Sequence, residues 1–178
     1  PGAPEETAAK IRGAARSHDA LILSAEDDAG IAAACRAFAE KGPVVTLATD
    51  IADAGRLGYV GPDNRRAGRV AGDLMGRFLG PEGGGIQMIA GILAMRGQAE
   101  RADGVRAVLG ERYPACRLVE VVESLEDNRR AGDLVRAALR RRDGLRGIYL
   151  CTVGSREIVA ALEAAGRRDF VLVLHELT

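Results

Sequence analysis

The stretch from Gly83 to Leu109 limits the fold more than any other part of this chain. Within it, Ile86–Ala90 is a short apolar run bounded by glycines, the pattern of a buried strand. A polar loop is predicted over Leu93–Glu100. Apolar residues then recur at helical spacing from Ala102 to Leu109, and Gly110 ends the pattern. Strand, loop and helix form half of a βαβ unit.

The predicted loop lies where α/β proteins bind their ligands. In open α/β sheets the ligand sits in the crevice beyond the carboxyl ends of the strands. The loop carries Arg101 at its end, and a guanidinium is a planar donor with a fixed charge. We therefore expect Arg101 to contact the ligand, although a surface arginine without such a role is the alternative.

The same alternation of strands and helices runs along the whole chain. Apolar runs at 20–23, 44–47, 57–60, 118–122, 147–151 and 170–174 alternate with helical patterns. This predicts an α/β fold with parallel sheets flanked by helices. We interpret the glycine-rich segment Gly80–Gly85 as a linker between lobes 1–80 and 81–178. One helix carries Gly68, Gly72 and Gly76, and we expect this side of it to pack closely against another element.

Composition excludes several classes of function. The 25 basic and 25 acidic residues balance, which gives no support for a nucleic-acid surface. No apolar run approaches the length of a membrane span. Trp is absent and aromatic residues are 3% of the chain, too few for a stacking platform. Cys35, Cys116 and Cys151 are scattered, which favours a reducing compartment and predicts no metal site.

An ordered set of segments resembles a known family. Those in the first lobe are His18–Leu23, Lys41–Asp50 and Tyr59–Asn64, and those in the second are Ile89–Gly91, Arg101–Val105 and His175–Thr178. Together they resemble the type I periplasmic-binding-protein fold, shared by periplasmic sugar receptors and the effector domains of LacI-type repressors. The resemblance implies a two-lobed clamp that closes on a small polar ligand, usually a sugar. Strands that the family places before and after these segments are missing, so we expect an internal excerpt of a longer chain.

The resemblance also implies a set of ligand-binding residues: Asp50, Asp63, Asn64, Arg101, Thr152 and Glu176. Planar carboxylate, amide and guanidinium groups suit sugar hydroxyls, which both donate and accept. Helix capping is the alternative for one of the pair Asp63 and Asn64. Glu176 stands where the family usually has Asp. Thr152 and Gly154 stand where many members have Asn-Asp, so Thr152, Ser155 or backbone must supply one hydrogen bond.

Three functions compete at this point. The leading hypothesis is the effector domain of a LacI-type transcription regulator: cytoplasmic, homodimeric, and bound to operator DNA through a helix-turn-helix upstream of this chain. The alternative is a periplasmic sugar-binding protein of an ABC transporter. An enzyme is disfavoured, because Gly80–Gly85 precedes its strand and lacks Gly-Lys-Ser/Thr, and no catalytic constellation occurs. We expect no cofactor, no metal and no membrane contact.

Overall fold

The computed structural model describes residues 3–141 and 144–176. Helices and strands alternate along this part of the chain. In order they are α1 (Pro4–Ala14), β1 (Leu21–Leu23), α2 (Ala29–Ala39), β2 (Val44–Leu47), β3 (Gly58–Val60), α3 (Asn64–Leu79), β4 (Gly84–Ala90), α4 (Arg96–Arg112), β5 (Cys116–Glu123), α5 (Asn128–Arg141), β6 (Leu145–Leu150), α6 (Ser155–Ala164) and β7 (Val171–Leu174).

Contacts divide the chain into two compact units. Unit 1 comprises the chain up to Asp63 together with Ala94–Ala99, and unit 2 comprises Asn64–Leu93 and the chain from Glu100 onward. This division falls between Asp63 and Asn64, whereas the sequence predicted a boundary at residue 80. Met75 and Leu79 of α3 are buried in one core with Ile86 of β4, which makes α3 part of unit 2. The segment Gly80–Gly85 is a connection within unit 2 and not a linker between lobes.

Unit 1 is built on a three-stranded parallel sheet of order β1-β2-β3. Helix α2 buries Cys35 and Phe38 in a core that also contains Val44 of β2. Its first turn is capped by Asp28, whose carboxylate accepts hydrogen bonds from the backbone N–H groups of Gly30 at 2.7 Å and Ile31 at 3.1 Å. The apolar pattern of α2 and the Asp28 cap are both features of the local sequence. They determine where this helix forms without help from distant residues.

Unit 2 is a parallel sheet of order β5-β4-β6-β7 covered by helices on both faces. On one face α3 and α4 pack over Ile86, Met88 and Tyr149. On the other, α5 and α6 pack over Ile89 and Ile148. Coverage on both faces explains why every residue of β4 from Gly85 to Ala90 is buried. These observations confirm the predicted parallel sheets flanked by helices.

The glycines of α3 pack against α4, as expected from their spacing. A Cβ atom at Gly68 would lie 2.7 Å from the Cα of Arg101, and one at Gly72 would lie 3.2 Å from the Cα of Val105. The approach is reciprocal, because a Cβ at Gly104 of α4 would lie 2.8 Å from the backbone nitrogen of Arg69. Larger side chains at these positions would force the two helices apart.

Two boundaries differ from those predicted. Strand β4 begins at Gly84, two residues before the apolar run, because Gly84 and Gly85 already pair with Cys116 and Arg117 of β5. Helix α4 begins at Arg96, so much of the predicted polar loop is helical and Arg101 lies on a helix. No helix in residues 3–141 and 144–176 combines the length and apolar character needed to cross a membrane.

Candidate functional site

Strand order singles out one position at the edge of the unit 2 sheet. From β4 the chain proceeds to β5 on one side and then returns to β6 on the other side of β4. The direction of winding therefore changes between β4 and β6, and open α/β sheets bind ligands beyond the carboxyl ends of the strands at such a point. We call the residues that directly follow β4, β5, β6 and β7 the carboxyl edge.

Arg101 is anchored at this change of direction. Its Nε donates to the Oδ1 of Asn64 at 2.9 Å, and its Nη1 donates to the carbonyl oxygen of Cys151, the residue after β6, at 3.2 Å. Asn64 is the first residue of α3 and is only 2% exposed. Two of the predicted site residues, Asn64 and Arg101, are thus in direct contact.

Thr152, the next residue along the carboxyl edge, is paired with a residue that sequence reasoning missed. Its hydroxyl donates to a carboxylate oxygen of Glu126, which lies in the loop after β5. Leu125 and Glu126 both have left-handed backbone, with φ of 56° and 59°. The other carboxylate oxygen of Glu126 occupies the space that a side chain at Gly91, after β4, would fill. Glu126 therefore connects the ends of β4, β5 and β6.

His175 and Glu176 follow β7 on the same edge. The Nδ1 of His175 lies 3.5 Å from the hydroxyl of the buried Tyr149. Burial lowers the pKa of His175 from its ordinary value, and the charge of Arg101 lowers it further, while Glu176 partly opposes the shift. Glu176 itself is exposed. Its position after the last strand agrees with the prediction, and its role as a ligand contact stays a prediction.

Cys151 lies at the centre of this edge, and its burial disfavours the reactive thiolate form. Burial raises the pKa of its thiol to about 12, although the neighbouring Arg101 opposes the shift. A thiol with such a pKa carries almost no thiolate near neutral pH. The side chain of Cys151 is 2% exposed, as is typical of a small residue packed in a core.

Asp50, the predicted contact from the first lobe, lies in unit 1 after β2. Its carboxylate accepts two hydrogen bonds from Arg56, both at 2.5 Å, one from the Thr46 hydroxyl at 2.7 Å and one from the Ile51 backbone at 3.0 Å. Burial alone would raise the pKa of Asp50, but these hydrogen bonds outweigh it and lower the pKa. Asp50 is therefore an ionised carboxylate surrounded by protein donors.

Unit 1 also has an open pocket of about 500 Å³ beside Asp50. Asp53, Arg56 and Arg96 line it together with Asp50. Asp63, the remaining predicted residue, is exposed and directly precedes α3. The ligand-binding roles of Asp50 and Asp63 stay predictions. Within the described ranges, no group of three His, Cys, Asp or Glu side chains is arranged to hold a metal ion.

Comparison with known proteins places the chain in a family. The profile of the periplasmic binding protein domain matches residues 5–178. A search of curated proteins found no significant match. Three solved structures illustrate the likeness in fold, and each covers 97% of this chain. The XylFII molecule matches with a TM-score of 0.86 at 22% identity, with 64% of its own length covered.

The descriptions of the other two structures both name sugars. A solute-binding protein of an ABC transporter from Burkholderia graminis, in complex with D-arabinose, has a TM-score of 0.88 at 23% identity, with 61% of its length covered. GanP, a glucose-galactose binding protein from Geobacillus stearothermophilus, has a TM-score of 0.85 at 20% identity, with 62% covered. The chain thus spans less than two thirds of these structures. Because the profile match extends over residues 5–178, the chain belongs to the periplasmic binding protein domain family, a family of binding proteins and not of enzymes.

Proposed function

We propose that this protein binds a sugar, or a polyol resembling one, at the carboxyl edge of unit 2, and that it serves as the solute-binding protein of an ABC transporter. The observation that carries the proposal is the anchoring of Arg101 by Asn64 and by the Cys151 carbonyl at the point where the sheet changes winding direction. A guanidinium held by these two bonds retains further N–H donors for a ligand.

The groups at this edge match the chemistry of a sugar. Each sugar hydroxyl can donate one hydrogen bond and accept others, so burying it requires both kinds of partner. Arg101 supplies donors, while Thr152 and the carboxylates of Glu126 and Glu176 supply acceptors. Because charged groups form stronger hydrogen bonds than neutral ones, such an edge can hold a ligand that has no charge of its own.

We prefer the transporter role to the regulator role because of the descriptions of the similar solved structures. Among the similar structures are ABC transporter solute-binding proteins with D-arabinose and D-fucose bound. The LacI-type regulator, with its operator DNA, homodimer and cytoplasmic location, is the alternative proposal. Analytical ultracentrifugation at micromolar concentration separates the two, since a monomer supports the receptor and a stable dimer supports the regulator.

Calorimetric titration tests the binding proposal. We expect the protein to bind at least one of D-arabinose, D-fucose, D-allose, D-glucose and D-galactose. Arg101→Ala should weaken that binding by roughly ten- to a hundred-fold, because a hydrogen bond from a charged donor contributes about 1.5–3 kcal/mol. Arg106→Ala is the matched control, since Arg106 lies on the same helix and pairs only with Asp103 at 3.3 Å among the contacts described.

Two results would contradict the proposal. If the wild-type protein binds none of these sugars, the proposed function is wrong. If it binds one and Arg101→Ala binds equally well, Arg101 has no part in the site.

A further inference from the structure

Unit 2 has a pocket of about 360 Å³ where β4 and β5 begin, at the edge of the sheet opposite the carboxyl edge. Its lining residues come from 76–81, at the end of α3, and from 112–116, between α4 and β5. We call it the amino-edge pocket. Strand β4 has seven residues at about 3.3 Å each, so roughly 20 Å separate the two edges. The amino-edge pocket is therefore distinct from the proposed sugar site.

Packing within unit 2 fixes the walls of this pocket. Gly76 makes room for Tyr113, because a Cβ at Gly76 would overlap the aromatic ring. The Tyr113 hydroxyl donates to the Oδ1 of Asp73 at 2.8 Å, which holds the far end of the side chain. Gly80 ends α3 with left-handed backbone at a φ of 69°. The shape of the amino-edge pocket is thus set by how the two helices end and pack.

Much of the lining is apolar and suits the body of a small molecule. Pro81, Pro114 and Ala115 contribute to it, together with the ring of Tyr113 and the buried Cys116. Ligand pockets typically combine such apolar walls with a few polar groups that orient the ligand. An aromatic wall favours an aromatic ligand, because rings gain from stacked or edge-to-face contact beyond the area they bury. Guanidinium groups also stack on aromatic faces.

Among the residues that the structure describes, the charged ones lining the amino-edge pocket are Arg77 and Arg112. Both donate to Asp73, through the Nε of Arg77 at 2.7 Å and the Nη1 of Arg112 at 3.2 Å. Asp73 lies outside the lining and shares one negative charge between two guanidinium groups. Because each guanidinium has five N–H donors, both arginines keep donors for a ligand.

Negative charge near this pocket is engaged elsewhere or is weak. Glu111 accepts two hydrogen bonds from Arg69, at 2.8 and 2.6 Å, and Glu82 pairs with Arg146 at 3.6 Å. The ends of α3 and α4 add about half an elementary negative charge each, which falls off within the last turn. The charged side chains of the lining are all cationic. A carboxylate therefore finds charged donors there, whereas an ammonium group would meet two like charges.

We infer that the amino-edge pocket is a second binding site, which takes a flat aromatic molecule bearing a single carboxylate. The aromatic body packs against Tyr113 and the apolar walls. The carboxylate accepts charge-assisted hydrogen bonds from Arg77 and Arg112. The site shares no residue with the carboxyl edge, so it does not depend on the proposed sugar binding.

Three compounds with the same indole ring and different charges test this inference. Indole-3-acetate is an anion, tryptophol is neutral, and tryptamine is a cation near neutral pH. Because the chain contains no tryptophan, indole fluorescence can be followed selectively while the intact protein is titrated. We expect saturable binding of one indole-3-acetate per chain. Tryptophol should bind roughly ten- to a hundred-fold more weakly, and tryptamine should not bind measurably.

Four variants locate the bound compound. Arg77→Gln and Arg112→Gln should each weaken indole-3-acetate about ten-fold and leave the affinity for tryptophol nearly unchanged, a pattern that general damage to the pocket would not produce. Ala115→Leu should weaken both compounds, because the larger side chain occupies the pocket. Arg106→Gln is the control and should change neither affinity, since Arg106 lies elsewhere on α4 and pairs with Asp103. Thermal melts verify that each variant is folded.

Three results would overturn the inference. The first is the lack of saturable binding of indole-3-acetate to the wild-type protein. The second is binding of tryptamine as tight as that of indole-3-acetate. The third is an unchanged affinity for indole-3-acetate in both Arg77→Gln and Arg112→Gln, which would place the compound at another site. None of these measurements requires a sugar, so this inference and the proposed function can fail independently.

Discussion

His175 couples protonation to the folded state of unit 2. Its pKa is lowered in the folded protein by burial and by the charge of Arg101. The unfolded chain consequently binds a proton more readily than the folded one. Stability that depends on neutral His175 is fully present above the ordinary pKa of 6.5 and is lost as pH falls through the lower folded pKa.

We predict that acidification from about pH 7 to pH 5 lowers the free energy of unfolding, and that His175→Asn removes part of this decrease. Urea denaturation of the wild-type protein and of His175→Asn at several pH values measures this decrease in the free energy of unfolding. Glu176→Gln should enlarge the decrease, because Glu176 opposes the shift of the His175 pKa. Parallel pH profiles for wild type and His175→Asn would disprove the coupling.

Single residues of the candidate site differ in how far sequence could reveal them. The position of Arg101 after β4 was predictable, because that strand is evident from its apolar run. Glu126 was not. Its position depends on two left-handed residues and on the space beside Gly91, and a contact between residues 126 and 152 is set by the tertiary fold.

At the scale of elements, the contact between α3 and α4 positions Arg101. The backbone of Arg101 rests against Gly68, and its side chain reaches Asn64, one turn earlier on α3. Both contacts come from the same helix, so the separation of the two helices determines where the guanidinium lies. The polar contacts of Asp73 with Tyr113 at 2.8 Å and Arg112 at 3.2 Å hold the far ends of the helices together.

Gly68→Ala should lower the free energy of unfolding by about 1–3 kcal/mol, because the added methyl group meets the backbone of α4 and overpacks the contact. Gly110→Ala, in α4, should raise it by about 0.5–1 kcal/mol, since nothing lies within 4 Å of the new Cβ and alanine favours helix. Urea denaturation of both variants is the measurement. Equal effects of the same sign would argue against close packing of these helices.

Most elements could be predicted from apolar periodicity, and the exceptions have physical causes. Strand β4 includes Gly84 and Gly85 because both residues pair with β5. Glycine has no side chain, so an apolar pattern could not place these two residues in the strand. The first turn of α4 is polar and makes polar contacts within unit 1. For example, the Gly97 N–H donates to the Thr49 hydroxyl oxygen at 3.1 Å. The membership of α3 in unit 2 depends on packing between distant residues, which chain order does not reveal.

At the scale of the whole molecule, the three free cysteines are buried in two different cores. Their reactivity can therefore show the opening of each core separately. Cys35 lies in the core of unit 1, whereas Cys116 and Cys151 lie in one core of unit 2. Burial raises the pKa of all three thiols, although nearby arginine charges partly oppose the shift. Their reaction with an alkylating reagent therefore requires local or global opening.

We predict that the native protein is alkylated slowly and that Cys116 and Cys151 become reactive over the same range of urea concentration. Cys35 should follow its own range, because its core is separate. Pulsed alkylation followed by peptide mass spectrometry measures each site. The urea-unfolded protein, in which all three react, is the control. Distinct urea ranges for Cys116 and Cys151 would show that unit 2 does not open as one core.

The contact between Tyr149 and His175 has a practical consequence for following ligands. The chain contains no tryptophan, so its intrinsic fluorescence comes from three tyrosines alone. One of these has its hydroxyl against a residue of the carboxyl edge. The protein thus carries an optical reporter where we propose that sugars bind, and Tyr149→Phe would identify its share of the emission. Binding could then be followed in dilute solution without an attached dye.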